Sequence, residues 1–252
     1  MTLLITGGAS GIGAATARLA AQRGHKVAIN YRSRDAQAKK VVNDIVAAGG
    51  HAVALPADVS READILSLFD AAEKALGPIT HLVNSAGIGF NARVADFEAG
   101  ALERLFIVNT VGLMLCCREA ARRMSTRRGG KGGVVVNVSS MAGTIGGRPG
   151  ASAYAASKAA VDSFTMGFAK DLALEGIRAV SLRPGMIETE MTETTLSDRE
   201  RREAIESTIA MGRVGQPDEI ANAIVWLLSD DASFISGVTI DASGGGFVFG
   251  KR

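Results

Sequence analysis

Leu3-Leu-Ile-Thr-Gly-Gly-Ala-Ser-Gly-Ile-Gly13 decides the fold of this chain: an apolar run, a glycine-rich turn and the start of a helical pattern. Leu3-Leu4-Ile5 reads as a buried strand, and the periodic stretch after the turn runs over about 11–23 and stops at Gly24. In such a turn Gly7 permits the tight reversal, Gly11 lets a ligand approach the backbone, and Gly13 allows close helix–sheet packing. Ser10 and Ile12 lie between them, where the opening helix offers amide hydrogens to an anion such as a dinucleotide pyrophosphate. A glycine motif is weak on its own, but the strand–turn–helix context is the confirming one. No Gly-Lys-Ser/Thr follows, which excludes a P-loop.

Outward from this unit, short apolar runs alternate with longer helical patterns, the signature of βαβ units around a parallel sheet. Further strands are expected at 27–30, 52–55, 81–84, 134–138, 179–182 and 238–240. Ser60 is the expected N-cap of a helix that Gly77-Pro78 terminates. Long helical stretches cover about 99–124 and 152–174, and Pro217 with Asp218-Glu219 marks a last helix start. With right-handed crossovers these elements form one doubly wound α/β domain over 1–252. Residues 187–212 are highly charged, with Leu196, Ile205 and Ile209 at wide spacing, which suits a mobile lid or a solvated surface excursion.

Hydrophobic residues make up 47% of the 252, ample for a two-sided sheet core, and no Pro/Ser-rich or charged linker divides the chain. Net charge is only +2 and the basic residues are scattered, which argues against nucleic acid and membrane surfaces as partners. The main basic cluster, Arg122-Arg123 through Arg127-Arg128 and Lys131, falls at an expected helix end, where cations complement the helix dipole. A solvated end is read ahead of an anionic partner. Cys116 and Cys117 are adjacent, so they form neither a disulfide framework nor a metal-spaced set, and no metal site is expected. No signal-peptide pattern precedes the first strand, and no apolar run approaches the ~20 residues of a membrane helix. The expected location is the cytoplasm.

Tyr154 and Lys158 are spaced i,i+4 on an expected helix, downstream of the pair Ser139-Ser140. Residues so spaced share a face. A phenol titrates near ~10, and an adjacent ammonium favours phenolate, bringing it toward use as an acid/base near neutrality. Singly, Ser139-Ser140 could end a strand as turn residues, Asn109 could be an ordinary satisfied amide, and the Tyr–Lys pair could be an exposed helical pair. Jointly with the glycine turn they read as a proton donor beside a nicotinamide.

The ordered set Thr6-Gly-x3-Gly-x-Gly13, Asp58-Val59, Asn84-Ser-Ala-Gly87, Asn109, Ser140, Tyr154-x3-Lys158 and Pro184-Gly185 resembles the short-chain dehydrogenase/reductase family over essentially the whole chain. The resemblance implies a Rossmann-type sheet of about seven strands and a homotetramer. It implies Tyr154 as proton donor or acceptor, and Lys158 lowering its pKa and holding the nicotinamide ribose. Ser140 would bind the substrate oxygen, and Asn109 would support a water chain to Lys158. By the same resemblance Asp58 contacts adenine with Val59 beside it. Asn84, Ala86 and Gly87 line the adenosine ribose and brace the central strands. Pro184-Gly185-Met-Ile187-Glu-Thr189 receives the nicotinamide carboxamide. Two departures stand out: Ser85 replaces the more usual second Asn, and a longer Ser140–Tyr154 gap lets the 146–149 loop shape the pocket.

No acidic residue ends the second strand, where one would bind the ribose 2′-hydroxyl of NAD; the chain has Asn30-Tyr31-Arg32-Ser33-Arg34 instead. A 2′-phosphate pairs well with a guanidinium fork. NADP(H) is therefore expected, with NAD(H) possible; the alternative leaves Arg32 and Arg34 as solvated residues opening the next helix. The expected activity interconverts a small-molecule carbonyl and an alcohol. Bacterial glucose 1-dehydrogenases and 3-oxoacyl-(acyl-carrier-protein) reductases are the two subgroups resembled, and Glu175 weakens the second by standing where a carrier-docking basic residue is expected. Ile88, Phe90, Met141, Arg148 and Met186 are the expected pocket residues. A reading of another class, a non-catalytic NADP(H)-binding regulator or scaffold, would be supported by loss of Tyr154 or Lys158, and both are present.

Overall fold

The computed structural model describes residues 1–246; positions 247–252 of the expected domain lie outside the described residues. Seven strands form one sheet: β1 (Thr2–Thr6), β2 (Lys26–Tyr31), β3 (His51–Pro56), β4 (Ile79–Asn84), β5 (Gly133–Val138), β6 (Ile177–Pro184) and β7 (Val238–Ala242). They lie in the order β3-β2-β1-β4-β5-β6-β7, every pairing parallel. Strand order reverses between β1 and β4, so the carboxyl ends of those strands border the crevice in which such sheets bind ligands.

The helices are α1 (Gly11–Gln22), α2 (Asp35–Ala47), α3 (Glu62–Leu76), α4 (Ala99–Phe106), α5 (Gly112–Met124), α6 (Ala142–Ile145), α7 (Ser152–Leu172), α8 (Glu193–Leu196), α9 (Arg199–Glu206) and α10 (Pro217–Leu228). They cover both faces, and strand alternation deals the apolar side chains to two cores. Leu3, Ile5, Val27, Ile29 and Val136 face α1, α2 and α10, while Leu4, Ala28, Leu82 and Val135 face α3, α5 and α7. All five residues of β1 are buried. That is why the strand reads as a continuous apolar run rather than an alternating one.

Several expectations change in three dimensions. Helix α3 begins at Glu62 with Arg61 as N-cap, because Ser60 turns its amide (2.9 Å) and hydroxyl (2.7 Å) to Asp58 Oδ1. Contrary to expectation, the 99–124 stretch is long and apolar enough, by length and composition, to cross a membrane, although charged residues interrupt its apolar run. Here it lies on the sheet with Leu105, Leu113, Cys116, Cys117, Ala120 and Met124 buried. Its basic end is paired internally: Arg123 meets Asp70, Glu73 and Glu119 and stacks over Phe69 at 5.1 Å, and Arg122 meets Glu119. Leu196, Ile205 and Ile209 are neither solvated nor scattered, but close with Val214 and Met186 into a third small core.

At the opposite end of the sheet from the crevice, His81 is 4% exposed. Its Nε2 lies 3.2 Å from the Leu228 carbonyl and its Nδ1 2.8 Å from Thr80 Oγ1, with the His25 ring edge-on at 5.2 Å. Burial, then the neighbouring His25, lowers its pKa to about 4. The unfolded chain takes up this proton near ~6.5, so it binds more protons than the folded state between those values. Stability is therefore held above about pH 6.5 and lost as pH falls toward 4, by up to roughly 3 kcal/mol. Urea midpoints should drop between pH 7 and pH 5 and drop less in His81→Gln; an equal drop in both proteins would clear His81 of this role.

Candidate active site

The glycine turn at the end of β1 is built by steric necessity. Gly7 adopts φ +68°, and a Cβ there would lie 2.8 Å from Ala86 Cα; a Cβ on Gly13 would lie 2.3 Å from the Gly7 carbonyl oxygen. The first needs left-handed backbone and the second needs no side chain at all. Ser10 is the N-cap of α1, yet its side chain makes no cap bond; its Oγ accepts from Arg34 Nη1 at 2.7 Å. The first turn of α1 carries no acidic residue, which leaves the positive end of the helix to an anion. This cradle fits a dinucleotide pyrophosphate. Asn30 pins it from below: Oδ1 accepts from the Gly7 amide at 3.4 Å, and Nδ2 donates to the Ala57 carbonyl at 2.9 Å.

Ser139 and Ser140 part company just past β5. Buried Ser139 donates Oγ to the Lys158 carbonyl at 3.0 Å, whereas half-buried Ser140 accepts from the Ala142 amide at 3.1 Å and engages the Tyr154 phenol. Lys158, 5% exposed, donates Nζ to the Val138 carbonyl at 2.9 Å and sits 5.9 Å from the Tyr154 ring centroid. Burial lowers its pKa to about 8, with Asp162 opposing. Burial also raises the Tyr154 phenol above its ordinary value, opposed by the Ser140 hydrogen bond. Here burial outweighs the Ser140 bond, and the Lys158 ammonium is turned to the Val138 carbonyl.

Asn109 lies in a π-helical turn, Ile107–Val111, between α4 and α5. Such turns recur at functional sites, and this one rotates a fully buried amide into the crevice wall. Its Oδ1 accepts from the Ile88 amide at 2.8 Å, and its Nδ2 donates to the Ile88 carbonyl at 3.0 Å and to Ser157 Oγ at 3.2 Å. Gly87 joins the two helices' side chains: a Cβ there would meet Asn109 Oδ1 at 3.4 Å and Lys158 Nζ at 3.6 Å. Residues from β4, β5, the π turn and α7 thus converge on one point at the strand ends.

A family model described as enoyl-(acyl carrier protein) reductase matches residues 7–246. An uncharacterized oxidoreductase of Escherichia coli (strain K12) is 45% identical over 96% of this chain and 98% of its own. This chain is a short-chain dehydrogenase/reductase. It is also similar to a 3beta-hydroxysteroid dehydrogenase of Eggerthella lenta (38% identical, 99% and 97% covered) and to an L-rhamnose 1-dehydrogenase (NAD(P)(+)) of Sphingomonas sp. strain SKA58 (37%, 98% and 96%). The crystal structure of a dehydrogenase/reductase from Sinorhizobium meliloti 1021 superimposes with TM-score 0.90 at 34% identity, covering 97% of this chain and 94% of the other. The seven-stranded fold and oxidoreductase class of this short-chain dehydrogenase/reductase agree with the resemblance read from its motifs.

Around the convergence point the remaining candidates fall into place less evenly. Tyr31 donates its hydroxyl to Asp35 at 2.6 Å along α2, and Arg32 and Ser33 are exposed. Arg34 is the basic residue that lies across the glycine turn, bonded to Ser10 and ion-paired with Glu190. Thr189 reaches the same place, its Cγ2 3.2 Å from where a Gly11 Cβ would stand. Asp58 braces its own turn, taking Ser60 and Arg104 Nη2 (3.1 Å), and Val59 is buried. Although burial raises the Asp58 carboxyl, these bonds outweigh it and hold the pKa low.

Asn84 points into the core, where Nδ2 donates to Asn137 Oδ1 at 2.9 Å, so it braces β4 on β5, while Ala86 donates its amide to Thr6 Oγ1 at 3.2 Å. The Pro184 carbonyl accepts from Met141, and Gly185 donates to Ala242, which holds the loop before Ile187 beside Ser140. Of the pocket candidates, Met141 is buried and Met186 packs against the third core; Ile187 of the nicotinamide loop is buried as well. Exposed Met191, unmarked by any motif, comes to 3.9 Å from the Gly89 Cβ position.

Proposed function

We propose that this protein is an NADP(H)-dependent oxidoreductase that interconverts a carbonyl and an alcohol, with Tyr154 exchanging the proton. The convergence of Ser140, Tyr154 and Lys158 beside the glycine turn carries this reading. Gly7, Ser10, Gly11, Ile12 and Gly13 would hold the pyrophosphate. Tyr31, Arg32, Ser33, Asp58, Val59, Asn84, Ala86 and Gly87 would serve the adenosine side, and Pro184, Gly185, Ile187 and Thr189 the nicotinamide. The bound dinucleotide supplies or accepts the hydride. Ser140 donates a hydrogen bond to the substrate oxygen, and Tyr154 delivers its proton there. A phenol raised by burial stays protonated at neutral pH, as a donor must. The Lys158 cation stabilises the phenolate left behind, and the residue also holds the nicotinamide ribose. Reduction should therefore hold its kcat/KM through neutrality and decline above about pH 8, as Lys158 loses its proton. A profile flat to pH 10 would remove that role.

Arg34 on Ser10, with exposed Arg32 nearby in sequence, supports NADP(H) over NAD(H). Charge-assisted bonds to a phosphate are worth about 1.5–3 kcal/mol, so Arg32→Asp or Arg34→Asp should shift preference toward NADH by roughly 10–100-fold. Unchanged selectivity in both variants would leave the preference without a cause. For substrate we put a sugar first, from the resemblance of Asn30-Tyr-Arg-Ser33 to glucose 1-dehydrogenases and the name of the rhamnose-oxidising relative. Docking of an acidic carrier protein is weakened, because Glu175 engages Ser125 and Arg127, and Arg122 and Arg123 are paired with Glu119. A panel of glucose, rhamnose, a 3β-hydroxysteroid and a β-ketoacyl thioester with both coenzymes separates these classes. The rest of the proposal is one dehydrogenase domain over 1–252, with 187–212 as substrate lid. It works in the cytoplasm as a homotetramer, for which sedimentation velocity is the check.

A further inference from the structure

A second buried charge lies one helical turn from Lys158. Asp162 is 4% exposed and stands at i+4 on the same face of α7. Both its oxygens are held from β6: Oδ1 accepts from Ser181 Oγ at 2.6 Å and Oδ2 from Arg183 Nε at 2.8 Å. Arg183 reaches on to Asp241 of β7, Nη1 to Oδ1 3.3 Å, and immediately precedes the Pro184-Gly185 loop. A buried ion pair is weak support for stability, since apolar residues of similar volume often serve as well or better. Its place between the catalytic helix and the strand entering the nicotinamide loop calls for another account.

We propose that Asp162 is a positioning residue that keeps Lys158 protonated, with Arg183 setting how much of the carboxylate's charge the lysine feels. The proposal rests on the role given to Lys158 above. The groups around Lys158 are Tyr154 and Asp162 from α7, the Val138 carbonyl from β5, and the neutral Asn109 amide from the π turn. Arg183 of β6 and Asp241 of β7 stand beyond Asp162. Asp162 is thus the carboxylate next to the lysine, and its charge opposes the burial that draws the ammonium toward neutrality.

Breaking the Asp162–Arg183 pair from its two ends has opposite electrostatic consequences. Asp162→Asn removes the anion and leaves a guanidinium, so Lys158 should release its proton more readily. Arg183→Gln leaves the carboxylate to the lysine, which should hold its proton longer. A purely mechanical tie between α7 and β6 would respond alike to both.

The test is an NMR titration of the full chain labelled with ¹³C-lysine, the Lys158 signal being identified by its loss in Lys158→Met. The Lys158 midpoint should fall by about 1 pH unit in Asp162→Asn, rise in Arg183→Gln, and return toward wild type in Asp162→Glu. Shifts of one sign in both variants, or none, overturn the proposal. Should Asp162→Asn fail to fold, Arg183→Gln decides by itself: a rise supports the proposal, and no change or a fall ends it. The titration needs no substrate, so its failure is separable from failure of the reaction reading, which Tyr154→Phe tests.

Discussion

Tyr154→Phe is expected to lower turnover by ~10²–10⁴-fold, the usual worth of a positioned acid/base. Only the hydroxyl is removed, and the ring stays against α7 and the Lys158 ammonium. Dinucleotide affinity should therefore stay within about tenfold of wild type, because a neutral hydrogen bond contributes only about 0.5–1.5 kcal/mol. Fluorescence titration with NADPH and steady-state rates on the best substrate of the panel measure the two quantities apart. A variant that turns over at near wild-type rate would sink the proposed chemistry, whatever its coenzyme affinity.

Gly13→Ala should strike the other half of the site. Its new methyl carbon would stand 2.3 Å from the Gly7 carbonyl oxygen, a backbone atom that can yield only by opening the turn. Overpacking of this kind costs about 1–3 kcal/mol, and the displaced amides can no longer meet an anion together. We expect at least a ~100-fold loss of NADPH affinity, equivalent to about 2.7 kcal/mol, with a lowered Tm. Gly100→Ala is the control: it lies in α4 with open space around its Cβ position, so Ala should raise stability by about 0.5–1 kcal/mol. Equal coenzyme binding by Gly13→Ala and wild type would mean the turn is not the pyrophosphate site.

Much of this architecture was legible in the chain because its signals are local. Each strand reads from a short apolar run, and the observed strands exceed the expected ones by a residue or two at their ends. Tyr154 and Lys158 could be paired on one face from spacing alone, and Gly7 and Gly13 from the strand–turn–helix context. Three kinds of feature escaped. Asn109 sits in a π turn, for which a sequence has no spacing rule, so its bonds to Ile88 and Ser157 came as news. Asn30 read as the end of a strand and the start of the coenzyme-selecting stretch, yet its side chain ties Gly7 to Ala57. The charged stretch at 187–212 hid a small core, because Leu196, Ile205 and Ile209 meet across two short helices rather than along one.

Composition and motif order by themselves determined the doubly wound sheet, the place of the anion turn, and the serine, tyrosine and lysine that meet there. These follow from backbone sterics and from periodicities that act over a few residues. Only the tertiary structure decided that burial raises the Tyr154 phenol while lowering Lys158. It also decided that Arg34 rather than Arg32 lies on Ser10, and that Arg183 reaches Asp162 one helical turn beyond the lysine. Solvation and charge act through space, between residues that folding brings together from distant parts of the chain.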